Sequence, residues 1–199
     1  MLRHTTLFLV LVAACGGKTI DGDDGGGEDG GKNQDVIVVD EGPPDVTVLP
    51  DSSTVQCNTL DPGTNVVPID EVAADPPPFA SSTTQVIHPG LYDITSMTLY
   101  TGPNGSSGTS GTIAGELRAN VANSADYVFQ IVIAQDKQTP TWTNADANNA
   151  GPGALVITPT CPPSGQPTKV LYSVDSSSFT IRVTSSGETI DETFGYLSP

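Results

Sequence analysis

The sequence predicts an all-β fold: an antiparallel meander of about eight strands closing into an up-and-down β-barrel, with a β-sandwich as the alternative. Three observations carry this expectation. From about Gly90 onward the apolar residues recur with a period of two, the repeat of a strand with one buried face. Clusters of Gly, Asn, Asp and Ser interrupt that repeat at short intervals, which suits hairpin links between antiparallel neighbours. After the first 14 residues no stretch carries an apolar stripe at helical spacing. Closing the sheet removes its exposed edges.

The expected strands cover roughly 90–101, 112–122, 126–135, 140–145, 153–159, 168–175, 178–185 and 188–197. In the first, Tyr92, Ile94, Ser96, Thr98 and Tyr100 oppose Met97 and Leu99. In the second, Ile113, Gly115, Leu117, Ala119 and Val121 share one face, with Thr112, Ala114, Glu116, Arg118 and Asn120 on the other. That is the pattern of a half-buried antiparallel strand. Tyr127, Phe129, Ile131 and Ile133 repeat it against Val128, Gln130 and Val132. Leu155 and Ile157 alternate briefly, and Val170, Tyr172 and Val174 do so before an Asp175-Ser176-Ser177 turn. Phe179, Ile181 and Val183 alternate with Thr180, Arg182 and Thr184; after Ser185-Ser186-Gly187 come Ile190, Glu192, Phe194 and Tyr196. Thr, Val, Ile and aromatic residues dominate, as strands prefer. Strand number and meander resemble the lipocalin-like barrels over about residues 85–199, a likeness of architecture without a motif. A barrel of this size is filled by side chains or holds one small ligand. If hollow, Tyr92, Phe129, Tyr172 and Phe179 would line it, and small residues such as Gly115 and Ala119 would leave the space.

Ahead of the barrel, residues 57–84 form a Pro-, Asp- and Asn-rich lead-in. Asp75-Pro76-Pro77-Pro78-Phe79 is stiff and extended, and the lead-in is expected to lie against the domain. Residues 15–56 show no apolar periodicity. Asp21-Gly22-Asp23-Asp24-Gly25-Gly26-Gly27-Glu28-Asp29-Gly30-Gly31 is acidic low-complexity sequence. It cannot bury enough apolar area to offset its ordering entropy. The segment reads as a disordered tether spanning roughly 35 Å as a flexible coil. Val36-Ile37-Val38-Val39 is its one apolar patch, a candidate edge strand. The acidic run is not an EF-hand: counted from Asp21, the fifth position is Gly25 and the twelfth is Lys32.

Residues 1–14 read as a signal peptide, with Arg3 and His4 before the apolar run Leu7-Phe8-Leu9-Val10-Leu11-Val12. That run is too short to span a bilayer as a helix, which takes about 20 residues. Val12-Ala13-Ala14-Cys15 resembles the lipobox of bacterial lipoproteins: an apolar residue, two small ones, then Cys. The resemblance implies cleavage before Cys15 and its lipidation, palmitate included. The chain would then be anchored rather than spanning. Gly16 follows where an Asp would imply inner-membrane retention, so the expected address is the outer membrane. The acidic Gly-rich tether before a β domain is similar to small envelope lipoproteins.

Three cysteines are present. With Cys15 lipidated, Cys57 and Cys161 remain, and an exported chain is in a disulfide-permissive compartment. A Cys57–Cys161 bridge is expected. It would close a loop of about 105 residues and contribute about 4–5 kcal/mol less strain. Free thiols or a metal site are the alternatives. There is no CxxC, and His88 is the only histidine after the signal, so neither a metal nor another cofactor is expected.

The net charge of −16, from 7 basic and 23 acidic residues, argues against nucleic-acid partners and against docking on anionic headgroups. A monomer is expected. Catalytic signals are weak. His88 stands alone before Pro89-Gly90. Gly102 to Gly111 is glycine-rich but lacks the Gly-Lys-Ser/Thr and helix of a P-loop, and reads as a hairpin loop at the barrel mouth. Asn144, Asp146, Asn148 and Asn149 beside Trp142, in a loop from 143 to 153, suggest a polar loop, with calcium or sugar binding as alternatives. Glu188, Asp191 and Glu192 lie together. Glu192 has the inward parity, where a carboxyl has a raised pKa unless paired; Arg118 and Arg182 sit on the polar parity. The expected function is a non-catalytic, lipid-anchored envelope module, structural or partner-binding. Two alternatives stand beside it: a carrier of a small apolar ligand, and an envelope-polymer hydrolase using Asp191 or Glu192.

Overall fold

The computed structural model describes residues 55–81, 86–163 and 165–199. The expected signal peptide, Cys15 and nearly all of the tether, Val36–Val39 included, lie outside the described residues.

The fold is all-β. Nine strands form a single sheet: β1 (Val67–Val72), β2 (Gly90–Tyr100), β3 (Gly108–Val121), β4 (Tyr127–Gln135), β5 (Thr141–Asn149), β6 (Ala154–Cys161), β7 (Thr168–Val174), β8 (Ser178–Ser185) and β9 (Glu188–Ser198). From β2 to β9 each strand pairs antiparallel with the next. β9 then pairs antiparallel with β2 from Leu91↔Ser198 to Tyr100↔Thr189. The sheet therefore closes in a ring, and the two-sheet sandwich is not formed. We call the end where β2 begins and β9 finishes the lower end.

The eight expected strands are β2 to β9, with different limits. β5 continues to Asn149 instead of stopping near 145, because Thr143, Ala145 and Ala147 keep the inward parity and are all buried. The Asn and Asp residues between them are the outward set of a strand, not a loop. β3 starts at Gly108, so the Gly-rich loop shrinks to residues 101–107. Its early part is fixed by Asp136, whose carboxylate accepts the Thr112 N–H at 2.7 Å.

β1 is the strand that the pattern did not announce. β2 and β3 pair only at Gly90–Asp93 with Ala119–Glu116. Above that they diverge, and β1 fills the gap, parallel to β2 (Ile69↔Met97 to Val72↔Tyr100) and antiparallel to β3 (Val67↔Ile113 to Glu71↔Gly108). Val67 and Ile69 turn inward and are buried.

The interior is packed. Phe129 faces Ala119 on one neighbouring strand and Ala145 on the other, a large side chain between small ones. Stacked rings continue from Tyr127 to Phe129 (5.9 Å), Phe179 (6.5 Å) and Phe194 (5.2 Å). Tyr92 meets Phe179 edge-on at 4.8 Å. Toward the upper end the filling is aliphatic, with Ile69, Met97, Leu99, Ile113, Val183 and Ile190 in the same cluster.

Apart from β1, the lead-in runs over the outside of the barrel. Cys57 and Cys161 are bridged, with Cα atoms 5.6 Å apart. Beside the bridge, buried Asn58 donates to the carbonyls of Ile131 and Thr143, both at 3.2 Å, and to Asn144 Oδ1 at 3.0 Å. Asn144 donates in turn to the Cys57 carbonyl at 2.8 Å. Trp142 Nε1 donates to the Leu60 carbonyl at 2.9 Å. Val132 faces outward between Glu116 and Trp142 in register, yet is fully buried. After β1 the chain reaches β8: Arg182 donates to the Pro77 carbonyl at 2.6 Å and lies 4.6 Å from the Phe79 ring centroid. It then returns to the lower end, where the Ile87 N–H donates to Tyr127 Oη at 3.1 Å.

Candidate functional site

The lower rim forms a cleft of about 380 Å³. Three segments far apart in sequence make it. His88, Pro89 and Tyr92 come from the entry to β2, Val174–Ser178 from the β7–β8 turn, and Tyr196 and Pro199 from the end of β9. Its geometry is fixed by short-range bonding. The Tyr196 N–H donates to the Ser177 carbonyl at 2.8 Å, tying the turn to β9. Within the turn, Asp175 N–H donates to Ser178 O at 2.8 Å, and Asp175 Oδ1 accepts the Ser176 N–H at 2.6 Å. Tyr92 donates its hydroxyl to the His88 carbonyl at 2.7 Å and meets Tyr196 edge-on at 5.2 Å. Burial, followed by the neighbouring Tyr196 and Tyr127, pushes the Tyr92 phenol up to about 12, so it stays a neutral donor at physiological pH.

Gly90 belongs to this construction. It has φ 150, and a Cβ there would sit 2.5 Å from the Ser198 carbonyl oxygen and 2.6 Å from the Tyr196 ring. The bare backbone lets the ring lie against β2. Tyr196 stays 39% exposed and is the open aromatic wall of the cleft.

Of the four residues expected to line a ligand cavity, Tyr92 alone lines this cleft. Phe129 and Phe179 are packed in the aromatic stack, and Tyr172 is buried in the same core. His88 stands at the rim.

The carboxylates near the chain end do not converge. Asp191 faces outward and forms a bidentate pair with Arg182, with both N–O distances at 2.6 Å. That pair and the Pro77 carbonyl engage the guanidinium, and the Asp191 hydrogen bonds raise its pKa. Glu192 faces inward, between Met97 and Ile181 in register, and is 2% exposed. Its Oε2 has no hydrogen-bond partner. Burial pushes its carboxyl up to about 7, so it is largely protonated below neutrality.

A second acidic group lies outside the wall near the fork. Asp93 and Glu116 are opposite each other in register. Both carboxyls are raised, Asp93 by burial and Glu116 by burial and then by Asp93 and Asp61. Among the described residues no group of three or more His, Cys, Asp or Glu is arranged to hold a metal. On β5, Trp142 and Asn144 are engaged by the lead-in, while Asn149 N–H donates to Asp126 at 2.8 Å. Their polar atoms organise the wall and its turns. The cleft escaped sequence reasoning because no one segment carries it; only the Tyr92–Tyr196 parity near the first and last strands hinted that the two rings share an end.

Comparison with protein-family models, with curated proteins and with solved structures finds no match for this chain.

Proposed function

We propose that this chain is a lipid-anchored protein of the cell envelope whose barrel is a non-catalytic binding module carried on an acidic tether. Val12-Ala13-Ala14-Cys15 supports the anchor. The observation that carries the role of the domain is how its interior is used. Stacked Phe129, Phe179 and Phe194 occupy the space that a carrier would keep open. What remains for meeting another molecule is the outer surface, and the lower rim holds a preformed concavity there. The titratable groups also favour binding over catalysis. Asp191 is committed to Arg182, Glu192 is buried in the core with Oε2 unpartnered, and His88 sits at the rim without either of them.

The anchor gives that rim its setting. One acyl chain holds only reversibly, and further chains make release negligible. An outer-membrane address follows from Gly16. Metabolic labelling with radioactive palmitate tests the reading. Label is expected on the wild-type protein and is lost in Cys15→Ser. No label on wild type, or unchanged label on the variant, contradicts the anchor.

A further inference from the structure

We propose that the lower-rim cleft is a saccharide-binding site that takes one or two neutral or amino-sugar rings. The proposal rests on the reading of the barrel as a binding module, and does not depend on the lipid anchor. Four features of the cleft point the same way.

Its volume of about 380 Å³ lies at the low end of small-molecule sites, which run from roughly 300 to 1,000 Å³. That excludes a long polymer held along its length and suits a short terminal unit.

One wall is aromatic and held in place. Tyr196 rests on Gly90, is braced edge-on by Tyr92, and keeps its backbone N–H on the β7–β8 turn. An aromatic face carries negative charge density. The C–H face of a pyranose ring is electron-poor and flat, and complements it without needing a charged partner.

The lining as a whole is mostly apolar, and its polar part is the edge formed by the β7–β8 turn. Ser176, Ser177 and Ser178 bring three hydroxyls, each able to donate and accept, and Asp175 brings a carboxylate acceptor. Vicinal sugar hydroxyls match that set.

The charge selects within saccharides. The lining includes no Lys or Arg; Asp175 is its acidic side chain and His88 its one basic side chain. The whole chain carries −16. Phosphorylated sugars and uronic acids are repelled; neutral and amino sugars are not.

The test is an amide-shift titration by NMR on the full chain carrying Cys15→Ser, so that lipidation plays no part. The probes are chitobiose, cellobiose and maltose to ~10 mM, with cyclohexanol as the uncharged, largely apolar comparison. At least one disaccharide is expected to shift the amides of Ser176, Ser177, Ser178 and Tyr196. Tyr196→Ala should weaken that binding about tenfold, the worth of one aromatic contact. Tyr196→Phe keeps the ring and should bind within about twofold of the parent. Asp175→Asn, at an exposed turn, gives an independent loss. Retained amide dispersion shows that each variant is folded. The proposal is overturned if no disaccharide shifts these residues, if cyclohexanol alone does so, or if folded Tyr196→Ala binds like the parent. None of those results bears on palmitate labelling at Cys15.

Discussion

Glu192 is the residue whose environment most departs from what its chemistry prefers. A carboxyl without a partner for Oε2 lies among Met97, Ile181 and the inward face of β9. Its value in the folded chain, about 7, is above the ordinary 4.5. Between those limits the folded state binds more protons than the unfolded state, so stability falls as pH rises. The contribution is fully present below about pH 4.5, declines toward pH 7, and is level above it. The change across that range is on the order of a few kcal/mol. Asp93 and Glu116 are shifted in the same direction, while hydrogen bonds from Asn149 and Asn123 lower Asp126. The variant therefore isolates the effect. Thermal melting of wild type should show a lower Tm at pH 8 than at pH 5, and Glu192→Gln should flatten most of that slope. An unchanged slope in the variant would place the titration elsewhere.

At the scale of elements, β1 decides how the ring is completed. Without it, β2 and β3 would part above Asp93 and Glu116 and leave a slot in the wall. Ile69 fills the core at that slot and is 1% exposed, whereas Val66 just before the strand is 55% exposed. Ile69→Ala should cost about 2–5 kcal/mol by leaving a cavity, while Val66→Ala should stay within about 0.5 kcal/mol. Urea unfolding of the two variants measures the contrast, and equal small effects would mean that β1 is not packed as a wall strand. The same element marks where pattern reading stops. β2 to β9 were legible because alternating large apolar residues leave little choice of face. β1 offers only Val67 and Ile69 around Pro68, inside a Pro-rich stretch. Its partners lie 28 to 46 residues away in sequence, and nothing local reveals them. The expected strand at 140–145 ends short of β5 for a related reason: the inward residues past Thr143 are Ala145 and Ala147, too small to signal a buried face against Asn and Asp neighbours. Parity did place Glu192 inside and Arg182 outside. It did not show that the core is full, which depends on contacts across the barrel.

At the scale of the whole molecule, the lead-in behaves as part of the domain. The Cys57–Cys161 bridge, which cysteine parity anticipated, holds the start of the strap to β6. Asn58 and Trp142 hold it to β4 and β5, Val67–Val72 joins the wall, and Arg182 holds Pro77 and Phe79 against β8 and β9. Reduction should lower stability by up to about 4–5 kcal/mol yet leave the β2–β9 ring folded, since its ladders do not pass through the bridge. A thiol count on the unfolded, unreduced protein should find neither Cys57 nor Cys161 free.

Hydrogen exchange read segment by segment on the oxidised full chain tests most directly whether the lead-in is wall or wrapping. The amides of Val67 and Ile69–Val72 should exchange as slowly as those of 96–100 and 190–194. Exchange of 67–72 as fast as the 101–107 turn, with the other two segments still slow, would contradict the account.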